Sequence, residues 1–341
     1  MKAMVLERLC TLENNRRPLT LTELPKPLPS ATEILLKVSA CGVCHTELDE
    51  IEGRTPPPRL PIILGHQAVG LVEAAGDRAG KFRVGDRVGV AWIFAACGTC
   101  KFCLAGQENL CPDFAATGRD ANGGYAEYMT IDESFAHPLP ATFSDIQAAP
   151  LLCAGAIGYR SLRLTGLKNG QRLGLTGFGA SAHLVLKMAR YRFPDSEIYV
   201  FARSAEERAF AMELGAVWAG NTTDRAPRRL DGIIDTTPAW EPIVAALANL
   251  EAGGRLVINA IRKEGGRDSL LTLDYPRHLW LEKEIKSVAN ITRTDVRAFL
   301  ALAAEMRLQP TVQVFALEQA NEALLELKTG KIRGAKVLKI A

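Results

Sequence analysis

The rhythm of apolar and polar residues changes near position 140. Before it, short alternating or apolar runs such as EILLKVSA, AVGLVEAAG, DRVGVAWI and YAEYMTI stand between Gly, Pro and Asp turns, as half-buried strands do. These 140 residues therefore predict a compact, barrel-like β domain. PKPLPS and GRTPPPRLP are connections, because proline lacks the N–H that a central strand must donate. SDIQAAPLLCAGAIGYRSL reads as one helix. Beyond it strands and helices alternate: RLGLTGF leads into a helix over SAHLVLKMARY and EIYVFA into one over EERAFAMEL. DGIIDT, RLVINAI and EIKSVANI follow as further strands. Apolar strands alternating with helices imply a parallel, doubly wound α/β sheet. The tail predicts a helix from Thr294 to Met306, a strand TVQVFAL, a helix over EQANEALLELKTG and a last strand AKVLKI.

With 341 residues, 48% hydrophobic and 23% charged, the chain has room for two domains. The net charge of +3 is spread among acids rather than gathered into a stripe, which argues against nucleic acid or an anionic membrane as partner. MKAMVLERLC lacks the apolar core of a signal peptide, and no stretch approaches the roughly 18 apolar residues of a membrane span. The expectation is a cytoplasmic protein.

Cys97, Cys100, Cys103 and Cys111 in CGTCKFCLAGQENLC have spacings that suit one tetrahedral zinc. Such clustering in a large chain without a secretion signal favours metal over disulfides. Four thiolates fill every coordination position, so this zinc would shape a loop, here residues 95–113, and leave the chemistry elsewhere. Cys10 and Cys41 have no comparable context and read as small thiols.

Gly177, Gly179 and Ala182 in LTGFGASAH form a GxGxxA between a predicted strand and a predicted helix. The glycines permit a tight turn and close backbone approach, and the helix start, with Ala180 and Ser181, offers free N–H groups to a pyrophosphate. At the end of the second strand an acidic residue would bind the adenosine ribose of NAD(H). Ala202 and Arg203 stand there instead, with Ser204 and Arg208 close behind. This set predicts NADP(H) as the preferred coenzyme, because arginines bind a 2′-phosphate that a carboxylate would repel; NAD(H) remains the alternative.

GVCHTEL (42–48), GHQAVG (65–70), GDRVGVAW (85–92), the four-cysteine segment, LLCAGAIGY and the dinucleotide motif follow one another in an order that closely resembles the zinc-dependent medium-chain alcohol dehydrogenases. The resemblance runs essentially from end to end. It implies a GroES-like β-barrel catalytic domain over 1–154 and 296–341 and a Rossmann coenzyme domain over 155–295. It also implies a second, open zinc on Cys44, His66 and Cys153, hence two Zn2+ per chain. Cys44 takes this part rather than Cys41 because it is the cysteine followed by a basic residue and then a hydroxyl. By the same resemblance Thr46 accepts the alcohol proton, His45 lies near the coenzyme phosphates, Glu47 orients the zinc histidine, and Trp92 narrows the pocket for small alcohols. The implied reaction is reversible hydride transfer between an alcohol and NAD(P), giving an aldehyde or ketone. The implied assembly is a homo-oligomer, dimer or tetramer.

Three positions depart from the family. Gln67 replaces the glutamate that follows the zinc histidine, Asp49 stands where a histidine finishes the proton relay, and Ala335 replaces a coenzyme-binding arginine, for which Arg333 or Lys336 are substitutes. Two other readings stay open: a zinc-independent quinone or enoyl reductase of the same superfamily, and a non-catalytic dinucleotide-binding protein whose centre Gln67 and Asp49 disable.

Overall fold

The computed structural model describes residues 1–330 and 333–340. The chain divides into one unit of Met1–Ala156 with Ile291–Ala341 and another of Ile157–Asn290.

The first unit is organised by the 11-residue strand Glu33–Val43. It pairs antiparallel with Ala68–Ala75, Tyr128–Asp132 and Ala335–Lys339, and most of its residues are buried. The sheet runs from Ala136–Pro138 through Arg87–Val90, Ala68–Ala75, Glu33–Val43 and Ala335–Lys339 to Val312–Ala316. Among the described residues the hydrogen-bonded order is therefore open-ended, and the barrel-like β pattern of the sequence is realised without a closed ring of strands.

Register in this sheet positions the site. Cys41 pairs with Ala68, so the end of the long strand lies beside the start of the next. Ala68 in turn pairs with Val90, which brings the residues just before Ala68 next to those just after Val90. A ribbon of Ile93–Ala95 with Ala115–Ala116 forms the base of the four-cysteine lobe.

The stretch expected as one helix around residues 144–162 is broken. Asp145–Ala148 is capped by Ser144, a 3-10 turn covers Ala149–Leu152, and the helix Ala154–Thr165 follows. Pro150 has no N–H to continue the first helix, and Cys153 sits at the break with φ −128° and ψ −72°.

The second unit is a six-stranded, wholly parallel sheet. Its order is Trp218–Gly220, Ile198–Phe201, Leu173–Thr176, Leu230–Asp235, Leu250–Ile258, Glu284–Ser287. Numbered along the chain this is 3-2-1-4-5-6, the Rossmann order. The three-residue strand Trp218–Gly220 was too short to be legible as a separate element. Phe201, Ile233, Leu247 and Leu256 are among the side chains buried in the core of this unit. No helix among the described residues is long and apolar enough to cross a membrane.

Candidate functional site

The long strand ends at Val43, and Cys44 is the N-cap of the helix His45–Ile51. His66 lies two residues before the strand Ala68–Ala75. The preceding Gly65 has φ +98°, and a Cβ there would lie 2.4 Å from the Tyr125 ring. Only glycine fits both the left-handed backbone and that contact. Strand register and the helix break bring Cys44, His66 and Cys153 together, with their ligand atoms all within 4.8 Å of one another.

Glu47 holds two of these residues at once. Its Oε2 accepts the Cys44 backbone N–H at 2.8 Å, and its Oε1 lies 2.6 Å from His66 Nδ1. Nδ1 of His66 thus lies against the Glu47 carboxylate, and the ring turns Nε2, which has no hydrogen-bond partner among the described residues, towards the sulfurs. Burial opposes a charge on His66, but Glu47 and Cys44 outweigh it and hold its pKa well above the ordinary value. The hydrogen bond from Cys153 holds the Cys44 thiol well below its usual range, while Cys153 is pushed up by that bond and by burial. Two sulfurs and an orphaned imidazole nitrogen, all inward-facing, are the donor set of an open zinc site, and they fit one.

Around this centre, Thr46 Oγ1 is 3.6 Å from Cys44 Sγ and His45 is exposed. Trp92 is 3% exposed; its ring meets His66 edge-on at 4.9 Å and stacks with Phe114 at 6.4 Å. Gln67 is buried, with its side chain against Gly42. Asp49 is engaged elsewhere: its Oδ1 accepts from Arg54 Nε at 3.1 Å and Nη2 at 2.9 Å. Arg54 and this pairing were not foreseen from sequence. Nor was Glu50, which is 0% exposed with neither carboxyl oxygen hydrogen-bonded among the described residues. The signal was present in ELDEI, three acids interleaved with Leu48 and Ile51 on a seven-residue helix, too many for one solvent-facing stripe.

The second cluster is Cys97, Cys100, Cys103 and Cys111, again within 4.8 Å of one another. Cys97 Sγ lies 3.5 Å from Cys111 Sγ and 3.9 Å from Cys103 Sγ, close to the roughly 3.8 Å edge of a tetrahedron with a metal–sulfur distance of about 2.3 Å. Backbone N–H groups of Cys100 and Cys103 donate to the sulfurs of Cys97 and Cys100 at 3.3 and 3.5 Å. Thr99 and Cys100 amides hold the Cys97 thiol down to about 6. Glu108 ties the lobe down, its Oε1 accepting Arg293 N at 2.8 Å and Arg293 Nε at 3.0 Å.

In the second unit, Gly177 follows the strand Leu173–Thr176 with φ +80°, and a Cβ there would lie 2.6 Å from Thr236 Oγ1. Gly179 is the N-cap of the helix Ala180–Arg192, whose Ser181 and Ala182 occupy the first turn. Ala202 is buried and Arg203 exposed just past the strand Ile198–Phe201. Ser204 Oγ accepts the Glu207 N–H as a helix cap, and Arg208 Nη1 donates to the carbonyls of Ala202 and Arg203. Lys336, offered as a substitute for the missing arginine at 335, is not available. Its side chain is 2% exposed and its Nζ donates to Gln313 and Glu326 at 2.7 and 2.6 Å.

The alcohol dehydrogenase GroES-like domain matches residues 30–141. A probable alcohol dehydrogenase AdhA of Mycobacterium tuberculosis is 45% identical over 324 residues, 94% of this chain and 91% of that protein. The chain belongs to the medium-chain alcohol dehydrogenase family. An alcohol dehydrogenase of Geobacillus stearothermophilus is 32% identical over the full length of both chains. Among solved structures, a cinnamyl alcohol dehydrogenase from Sorghum bicolor superposes with a TM-score of 0.83 at 26% identity, covering 99% of this chain and 97% of that one. As in the family, the reaction is alcohol–aldehyde redox with a nicotinamide coenzyme.

Proposed function

We propose that this enzyme is a zinc-dependent alcohol dehydrogenase or aldehyde reductase that carries two zinc ions per chain and prefers NADP(H). The observation that carries the reading is the trio Cys44, His66 and Cys153, buried or half-buried, converging within 4.8 Å and braced by Glu47. Zinc bound to these three residues supplies a Lewis acid that acidifies an alcohol hydroxyl and polarises a carbonyl. The protein's own part is positional. Glu47 fixes both the Cys44 backbone and the His66 ring, and Trp92 closes one side of the centre with apolar surface. Thr46, whose hydroxyl lies beside Cys44 Sγ, accepts the alcohol proton. Asp49, held by Arg54, anchors the end of its helix and is a minor member of any relay. The four thiols of the lobe take the second zinc and leave no position for substrate.

Coenzyme choice rests on Arg203. It stands exposed where a ribose-binding carboxylate would exclude a 2′-phosphate, while Ser204 and Arg208 shape the turn that presents it. The assembly proposed is a homo-oligomer formed at the sheet edge: all four residues of Glu284–Ser287 are exposed, with Trp280 and Leu281 each 54% exposed nearby. An unpaired strand edge with apolar neighbours invites a second copy, and light scattering at the chain mass of 37.0 kDa would contradict it.

The test of the function is NADPH oxidation with a panel of aldehydes, with and without a zinc chelator. Turnover abolished by the chelator and restored by zinc supports the reading; chelator-insensitive reduction would favour the zinc-independent alternative. Arg203→Asp should lower the NADPH over NADH ratio of kcat/KM about tenfold to a hundredfold, the size of one charge-assisted phosphate contact. Equal use of both coenzymes by the unaltered enzyme would contradict the argument.

A further inference from the structure

The parallel sheet reverses its winding between Leu173–Thr176 and Leu230–Asp235, and dinucleotides bind across such a switch point, outside the carboxyl ends of the strands. On one side stand the pyrophosphate turn at Gly177 and, after Ile198–Phe201, Arg203. On the other side Leu230–Asp235 and Leu250–Ile258 run into residues 236–240 and 259–266. With phosphates and adenosine on the first side, the second is left for the nicotinamide half of the coenzyme. Asp235, with its side chain 0% exposed, and Lys263, with its side chain 7% exposed, form an ion pair between these two segments. Both partners have further bonds: Lys263 Nζ donates to Thr237 O at 2.6 Å, and Asp235 Oδ1 accepts from Thr237 Oγ1 at 2.7 Å. Asn259 N donates to Asp235 O at 2.8 Å, and Glu264 N donates to Pro238 O. Thr236 N and Oγ1 donate to Thr176 O at 2.8 and 3.0 Å, so the stitching runs from the residue before Gly177 across to Lys263.

No residue of 259–266 is buried as a whole, and the segment ends in Gly265 and Gly266, both at positive φ. Apolar packing therefore contributes little to its shape, and polar ties hold it. Burial pushes the Asp235 carboxyl up and the Lys263 ammonium down, and each partner opposes the shift of the other. A buried pair of this kind often adds no more stability than apolar side chains of the same volume, so its contribution here is a fixed geometry.

We propose that Lys263 is a positioning residue for the nicotinamide half of the coenzyme: paired with Asp235, it locks residues 259–266 against residues 236–238 and preforms that part of the crevice. The inference rests on a nicotinamide dinucleotide binding at this sheet edge. Lys263 acts through the loop, since its ammonium is engaged by Asp235 and Thr237. A loop ordered in advance spares the coenzyme the entropy of ordering it. A loop that holds the binding shape for about a tenth of the time lowers the apparent affinity about tenfold.

Lys263→Met alone leaves the Asp235 carboxylate buried and uncompensated, which threatens folding. The full-length wild type is therefore compared with the double variant Lys263→Met, Asp235→Asn, in which both buried side chains are neutral. NADPH and 2′-phospho-ADP-ribose, the same molecule without its nicotinamide, are titrated by calorimetry. NADH and ADP-ribose are titrated in parallel, which makes the test independent of coenzyme preference. The double variant should bind the complete coenzyme about tenfold more weakly and the fragment as wild type does. Amides of residues 259–266 should exchange hydrogen faster in the double variant, and saturating coenzyme should slow them again. Equal losses for coenzyme and fragment, as a merely structural role would give, overturn the inference, and so does a double variant that binds the coenzyme as tightly as wild type. If wild type binds neither coenzyme nor fragment, the coenzyme reading falls and the inference with it.

Discussion

In the lobe, the four donors come from residues 97–111 and are stapled by their own backbone N–H groups. Cys44, His66 and Cys153, in contrast, come from a strand end, the approach to the next strand and a helix break. The lobe sulfurs lie near the surface, with Cys97, Cys100 and Cys103 half-exposed, whereas His66 and Cys153 are buried. A local, complete donor set folds its own segment when metal binds. A dispersed, incomplete set can form only after the sheet has set its register, and it leaves one coordination position open for a reactant. On the proposed two-zinc reading, sequence separation and donor count divide the two centres between shape and reaction.

The contrast can be broken most severely at the brace of the open centre. Glu47→Gln should cost about tenfold to a hundredfold in activity and in zinc retention at that centre, with the lobe's zinc unchanged; loss of both ions together would show that the two centres are not independent. The converse test is on the lobe. Glu108→Ala removes the acceptor of Arg293 N and Nε and should cost about 2 kcal/mol of stability, read in denaturant unfolding, with kcat/KM of the folded enzyme little changed. A smaller effect sharpens how the open centre depends on its frame. Glu52 closes the helix His45–Ile51, accepting from Leu12 N–H, Arg54 and Lys328. Burial raises its carboxyl, but those partners outweigh it and hold it down to about 2. Its folded value lies below the unfolded value near roughly 4.3, so its stabilisation is present above that pH and is lost as pH falls towards 2. Glu52→Gln should therefore cost about 1 kcal/mol at neutral pH and nothing near pH 2. A penalty that is independent of pH would mean that packing, not charge, is involved.

Legibility followed the same division. CGTCKFCLAGQENLC could be read directly because its donors are neighbours in sequence, and the strand–helix alternation of residues 173–287 followed from apolar periodicity. The open centre was reached only through resemblance, since no local spacing joins Cys44, His66 and Cys153. The break at Cys153 was hidden inside a helical pattern because a proline is tolerated at the start of a turn, and Pro150 stands there. The partnership of Asp49 with Arg54 and the isolation of Glu50 depend on which face of a seven-residue helix is buried. Polarity alone misreads that face, since acids occupy it. Lys336 was read as a substitute for the coenzyme-binding arginine missing at 335, but packing directs it inward to Glu326.

The most direct test of the divided roles is zinc content, activity and thermal stability measured side by side in Cys153→Ser and Cys100→Ser. The account predicts two zinc ions in the metal-replete wild type and one in each variant. Cys153→Ser should lose nearly all activity with its melting temperature largely kept. Cys100→Ser should melt lower by about 6–12 °C, for a loss of about 3 kcal/mol, while the molecules that remain folded still turn over. A metal-replete wild type with a single zinc, or two variants that lose stability and activity in the same proportion, would contradict it.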